Sequence, residues 1–335
     1  MIAGTALAAW LADRDAQRRS LDKIEACAQH WSRQPLMTEV ERELSELDDH
    51  EKTPEAVLRI ARAFMDRTGD LDTLVGELLT ASAADPFFRP PFHPMSGDIH
   101  SGLLMYHNPE LSIALGVTAV DMLAAKKVGA RGSSSIGFTG ITTLFRYLKA
   151  GDATLSFWEA PPITGDFVAA EAGSAKLIER RRIKDGDEVL IDGRYQSFVI
   201  EHATADMIYF QAMVRPGAAP LSAEFDSKTL AFVSASSTDE ASSRVQMMVS
   251  MLRTMERDDA LPLIIEALES PHFYTRWHIM RELLAMDADA ALPPLRRMAQ
   301  ADPHPEVRAA AQQTLQLFFA NENGPAPAGD AQCHA

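Results

Sequence analysis

The chain has 335 residues, more than the roughly 250 to 300 over which one hydrophobic core keeps growing, so two or three structural units are expected. With 46% hydrophobic and 24% charged residues it has an ordinary globular composition, and a formal net charge of -15 opposes a phosphate-binding surface, which excludes nucleic acid as the expected partner. Cys27 and Cys333 are its two cysteines: no disulfide framework and no cysteine-based metal knuckle follow, and a reducing, cytoplasmic setting is expected.

Residues 1–12 are apolar but lack a basic leading segment and run directly into Asp13, Arg14, Arg18 and Arg19. They read as a first helix rather than a secretory signal, and no run of 18 apolar residues offers a membrane span. From there to about 84, apolar residues recur at helical spacing, as in Val57, Ile60, Ala61 and Phe64 and then Leu71, Leu74, Val75 and Leu78. Thr53-Pro54-Glu55 supplies a start signal, a threonine cap followed by proline in the first turn.

Three prolines within Pro86-Phe87-Phe88-Arg89-Pro90-Pro91 stop the helical pattern and set a boundary near 85. Between about 103 and 214 the chain reads as short runs broken by Gly, Asp and Asn: 111–117, 141–148, 154–158, 176–181, 188–191, 197–201 and 207–214. Lys149-Ala150-Gly151-Asp152-Ala153 and Asp192-Gly193 suit tight hairpins, so the pattern predicts an antiparallel barrel or sandwich. Helical spacing returns after about 239, and Ala260-Leu261-Pro262 recurs as Ala291-Leu292-Pro293, 31 residues on. Each unit has a turn, Ser270-Pro271-His272 or Asp302-Pro303-His304, followed by an arginine, Arg276 or Arg308. This pattern resembles the HEAT repeat family, which implies stacked helical hairpins.

The expected organisation is thus a multidomain α and β chain. N-terminal helices occupy 1–84, a central antiparallel β-barrel 85–235, HEAT-like α-hairpins 240–319, and a disordered Ala-, Gly- and Pro-rich tail 320–335.

Four features of the middle region, Tyr106-His107-Asn108, Gly132-Ser133-Ser134, the 148–161 hairpin with Trp158, and Gly186-Asp187 through Asp192-Gly193, resemble the cysteine-dioxygenase branch of the cupin superfamily. The resemblance implies a cupin barrel and, in the family, a His-x-His pair with a third histidine holding iron. At the matching positions this chain has Ile136, Phe138 and Gln196, so the iron site is expected to be degenerate. No cysteine is available for the family's Cys-Tyr crosslink, and His107 stands where its carboxylate-clamping arginine would be. No cofactor is expected.

His93, His100, His107 and His202 are the alternative metal set, weighed against surface or hydrogen-bonded histidines. No nucleophile elbow, phosphate loop or His-Glu-x-x-His is present. Ile136, Phe138, Phe145, Phe157 and Trp158 are candidates either to line an apolar ligand pocket or to fill the barrel. Of the neighbours Arg146 and Tyr147 one must point inward; an inward Arg146 would need Glu159, Glu201 or a ligand. The basic run 179–184 reads as a docking patch or as a solvated strand end.

Phe273, Tyr274 and Trp277 are candidate anchors for a protein partner, or else packing between repeats. The leading functional expectation is a non-catalytic binding or scaffold protein for a partner protein or a small apolar ligand. The rival is a cupin enzyme, either an oxygenase using the alternative histidines or a metal-free isomerase or epimerase.

Overall fold

The computed structural model describes residues 2–129, 135–164 and 167–319. The Gly132-Ser133-Ser134 run, Cys333 and the tail 320–335 lie outside the described residues.

Five helices open the chain: α1 (Ile2–Ala12), α2 (Arg14–Ser32), α3 (Pro35–Ser45), α4 (Pro54–Met65) and α5 (Thr68–Ala84). The start signal read at Thr53 operates as expected, since its side chain accepts from the Ala56 N–H at 3.2 Å and Pro54 sits in the first turn. Among the described residues twelve strands and one α-helix follow: β1 (His93–Ser96), β2 (His100–His107), β3 (Leu111–Thr118), α6 (Val120–Gly129), β4 (Ser135–Phe138), β5 (Thr142–Lys149), β6 (Thr154–Glu159), β7 (Lys176–Arg182), β8 (Glu188–Asp192), β9 (Gln196–His202), β10 (Met207–Val214), β11 (Leu221–Asp226) and β12 (Phe232–Ser237). They make a six-stranded sheet in the order β1-β2-β3-β10-β5-β8 and two three-stranded sheets, β12-β11-β4 and β7-β6-β9, and the pairs of the six-stranded sheet, β4 with β11, and β6 with β7 and β9 are antiparallel. The turns at 149–153 and 192–193 do not close the expected hairpins, because β5 and β6, and likewise β8 and β9, lie in different sheets. Between β5 and β6, Gly151 and Asp152 both have φ of +58°, and a Cβ on Gly151 would meet the Ala205 carbonyl oxygen at 2.2 Å.

The six-stranded sheet has two apolar faces. Leu111, Ile113, Leu144, Phe210, Ala212 and Val214 share one cluster with Val57, Ile60, Ala61, Phe64 and Met65 of α4, and the Phe64 and Phe210 rings meet edge to face at 6.5 Å. On the other face Tyr147, Tyr209, Met207, Val189 and Ile191 join Leu155 and Ile200 of the β7-β6-β9 sheet. The helices and strands expected as separate segments, 1–84 and 85–235, are therefore one compact unit, residues 1–163 with 173–235. The reason is the apolar stripe of α4, which takes the sheet as its partner and leaves no core private to the helices.

The second unit comprises residues 164–172 and 236–335. Its described part holds α7 (Glu240–Thr254), α8 (Leu261–Glu266), α9 (Phe273–Met286), α10 (Ala288–Ala301) and α11 (Pro305–Phe318) around Ile264, Ile279, Met280, Leu283, Ala291 and Leu295. The repeated arginines have one task in common. Arg276 Nη1 donates to the Ser270 and Pro271 carbonyls at 3.0 and 2.9 Å, and Arg308 Nη1 donates to those of Asp302 and Pro303 at 2.6 and 2.9 Å. Each thus clamps the turn that precedes its own helix. Segment 164–172 is held in this unit too: Glu306 accepts from the Ala169 N–H at 2.7 Å, and His304 Nε2 lies 2.9 Å from the Phe167 carbonyl oxygen.

Candidate functional site

Strand alternation builds a cavity in the first unit. On β3, β10 and β5 the residues Ala114, Gly116 and Thr118, Met207, Tyr209 and Gln211, and Thr143, Phe145 and Tyr147 line it, while the intervening Ile113, Phe210 and Leu144 face the helices. Its volume, as bounded by the described residues, is about 1360 Å³. The walls are aromatic: Phe145 lies 5.1 Å from Phe198, 5.6 Å from Tyr209 and 6.3 Å from Tyr147, and Tyr147 and Tyr209 are 5.8 Å apart between centroids.

The polar groups divide into two sets. His100 Nδ1 lies 2.9 Å from Thr118 Oγ1 and 3.1 Å from the Tyr209 hydroxyl, and the two hydroxyls are 3.2 Å apart. Burial, and after it the Lys126 ammonium, lowers the pKa of His100, so the ring is neutral at pH 7. The other set lacks partners. No described residue hydrogen-bonds the hydroxyls of Tyr147 or Thr143 or the amide of Gln211. Cations lie along one part of the lining, where Lys127 Nζ donates to the carbonyls of Ile200, at 2.6 Å, and Glu201, and Arg180 lies 3.5 Å from the Glu201 carboxylate.

The expected pocket residues divide as well. Ile136, Tyr147, Trp158 and Gln196 line the cavity. Trp158 does so from the opposite face of β6 to Phe157, and its indole N–H donates to Ser156 Oγ at 3.0 Å. Gln196 is already engaged: its amide donates to Glu159 Oε1 at 3.3 Å, and its oxygen accepts from the Asp192 N–H at 3.3 Å. Phe138 is buried away from the lining, its ring 5.3 Å from Phe225 across the β4-β11 pair. Phe138 and Arg146 thus both depart from the expected lining. Arg146 alternates with Tyr147, and since the tyrosine takes the inner face the guanidinium lies outside, bound to Glu188 and to Asp66 at 2.5 Å.

The alternative histidines do not converge. His100 and His107 are the two ends of β2, about 23 Å apart at the usual rise of a strand. His107 Nδ1 lies 2.8 Å from Ser112 Oγ, and His93 and His202 are exposed on β1 and at the end of β9. Among the described residues no group of three or more His, Cys, Asp or Glu is placed to hold a metal ion.

The basic run lies on β7, at the edge of its sheet, with its arginines engaged: Arg180 with Glu201, Arg182 with Asp152, and Arg181 over the Phe157 ring at 4.6 Å. In the second unit Phe273 stacks on His304 at 3.8 Å, Tyr274 stacks on His272 at 5.3 Å, and Trp277 packs against the helical core. All three aromatics are half-buried. What the sequence did not single out is the exposed apolar face of α7, where Met247 and Met251 stand at i and i+4 beside Met248, with exposed Met255 capping the helix. The spacing was visible in the sequence, but a methionine stripe reads equally as core.

The family model for HEAT repeats matches residues 231–316. No curated protein matches the chain. Solved structures similar to it include ectoine synthase from P. lautus, with 9% identity over 37% of this chain and 69% of that one and a TM-score of 0.23. KdgF from Halomonas sp. is similar at 8% identity over 37% of this chain and 86% of that one, with a TM-score of 0.23. A sugar phosphate isomerase from a cupin superfamily of Silicibacter pomeroyi is similar at 9% identity over 43% and 79%, with a TM-score of 0.22. The chain combines N-terminal helices and a central antiparallel β region with a C-terminal helical stretch that carries the HEAT match. No described helix is long and apolar enough to cross a membrane.

Proposed function

We propose that this is a non-catalytic binding protein whose first unit takes a small, largely apolar ligand in the cavity and whose helical hairpins present a surface to a protein partner. The observation that carries the first half is the aromatic-walled cavity itself. A volume of about 1360 Å³ is larger than the few hundred Å³ that suffice for small molecules, and rings supply much apolar contact at little entropic cost. The second half is supported by the α7 methionines, each more than half exposed, since contiguous apolar surface is the usual mark of an interaction site.

The test uses 1-aminoanthracene, a neutral aromatic fluorophore whose emission rises in apolar surroundings. It should bind the protein near one to one, and Ala114→Phe, which fills the lining from β3, should abolish binding while the circular dichroism spectrum is preserved. No binding by the parent chain would overturn the cavity reading.

A further inference from the structure

Within the cavity, the Tyr147 hydroxyl has no partner among the described residues to explain its burial. Tyr147 is 1% exposed and Thr143 4%, yet the one fully buried side-chain nitrogen or oxygen without a partner among the described residues is Nδ1 of His304, in the other unit. The hydroxyls of Tyr147 and Thr143 therefore open onto the cavity rather than being sealed in protein. Burial, and then the neighbouring Tyr209, raises the pKa of Tyr147 far above that of an ordinary phenol, so the group stays a donor across the physiological range. Gln211, opposite Phe145 on the adjacent strand, adds an unpartnered amide on the same face. Buried hydroxyls normally find a partner, because an unmade bond costs more than a made one returns. Here the missing partner is an acceptor, and the surrounding surface of Phe145, Phe198 and Tyr209 is aromatic.

We propose that the cavity takes a cyclic apolar molecule bearing a carbonyl group, its ring against Phe145, Phe198 and Tyr209 and its carbonyl oxygen accepting from the Tyr147 hydroxyl. This rests on the cavity being a ligand site and adds which chemistry it selects. Tyr147 is a positioning donor that the ligand-free fold does not use.

The experiment compares two molecules of one skeleton, 2-acetonaphthone and 2-ethylnaphthalene, by displacement of 1-aminoanthracene from the parent chain and from Tyr147→Phe. The substitution should weaken the ketone about two- to tenfold, the range of one neutral hydrogen bond, and leave the hydrocarbon within about twofold. The melting temperature of the ligand-free protein should not fall, because no hydrogen bond within the protein is lost. An unchanged ketone affinity, or equal losses for both molecules, would overturn the proposal and leave water as the partner of the hydroxyl. If the fluorophore binds and only the ketone preference is missing, the cavity reading survives without it. If none of the three molecules binds, both fall.

Discussion

Arg276 and Asp302 show how one residue pair can hold a repeat array together. The guanidinium is bidentate to the carboxylate at 2.7 and 2.8 Å, joining α9 to the turn before α11, and the same carboxylate accepts the His304 N–H at 2.8 Å. Both side chains are nearly sealed, with 10% and 3% of their surface exposed. Removing one partner strands a buried charge, so Asp302→Ala should cost about 3–5 kcal/mol in urea unfolding. Arg308→Ala should cost only about 1 kcal/mol, because that arginine is half-buried and donates to neutral carbonyls. Burial alone would raise the Asp302 carboxyl, but the Arg276 pair and the His304 amide outweigh it and hold its pKa below the ordinary aspartate value. A depressed folded-state pKa stabilises above the unfolded value, near 3.9, and that stability is lost as pH falls below it through the folded value. Unfolding followed between pH 6 and 3 should therefore show a steeper loss for the parent than for Asp302→Asn; parallel curves would contradict this linkage.

At the scale of the element, β3 and β10 are fitted by what β3 omits. A Cβ on Gly116 would come within 2.8 Å of the Tyr209 ring, so Gly116→Ala must push the ring off its contacts with Thr118 and His100. A cost of about 1–3 kcal/mol is expected, measurable as a lowered urea midpoint, with weaker fluorophore binding because the ring moves into the cavity. Elements such as β3, β5, β6 and β10 were legible from alternation, and α4 from its period and cap. β1 was not, because a His-Pro-Met-Ser edge strand has neither propensity nor a buried face. β12 was hidden by its mostly exposed small residues, and α6 by the lack of any apolar stripe between strand-like runs. Candidate site residues were legible as a group of aromatics on strands, but not their direction. Trp158 follows an irregularity in the β6-β7 register at Phe157, and the choice between Arg146 and Tyr147 rests on Glu188 and Asp66, distant in sequence. The unpartnered state of Tyr147 is a property of pairing that no spacing reveals.

The whole chain passes between its two units three times, after 163, after 172 and after 235, yet every residue lining the cavity belongs to the first unit and every residue of the helical-repeat core to the second. Chain order and compact unit therefore differ: the excursion 164–172 lies within the connection from β6 to β7 and is held by Glu306 and His304, residues more than a hundred positions away. This division separates two properties that point mutations can address one at a time. Leu283 is fully buried among Ile279, Met280, Ala291 and Leu295, so Leu283→Ala should leave a void and cost about 2–5 kcal/mol. Replacing exposed Met247 and Met251 with Glu should shift stability by no more than about 0.5 kcal/mol each, since neither side chain is sealed. At temperatures where the Leu283→Ala variant is still folded, its affinity for 1-aminoanthracene should equal that of the parent, because no cavity residue has changed its neighbours. Calorimetry with and without the fluorophore supplies the check: ligand should raise the transition of the unit that holds the cavity, by mass action, and the Leu283→Ala variant should show that same rise. A lost or reduced response in that variant would mean that the helical hairpins shape the cavity, and the assignment of binding to the first unit alone would be wrong.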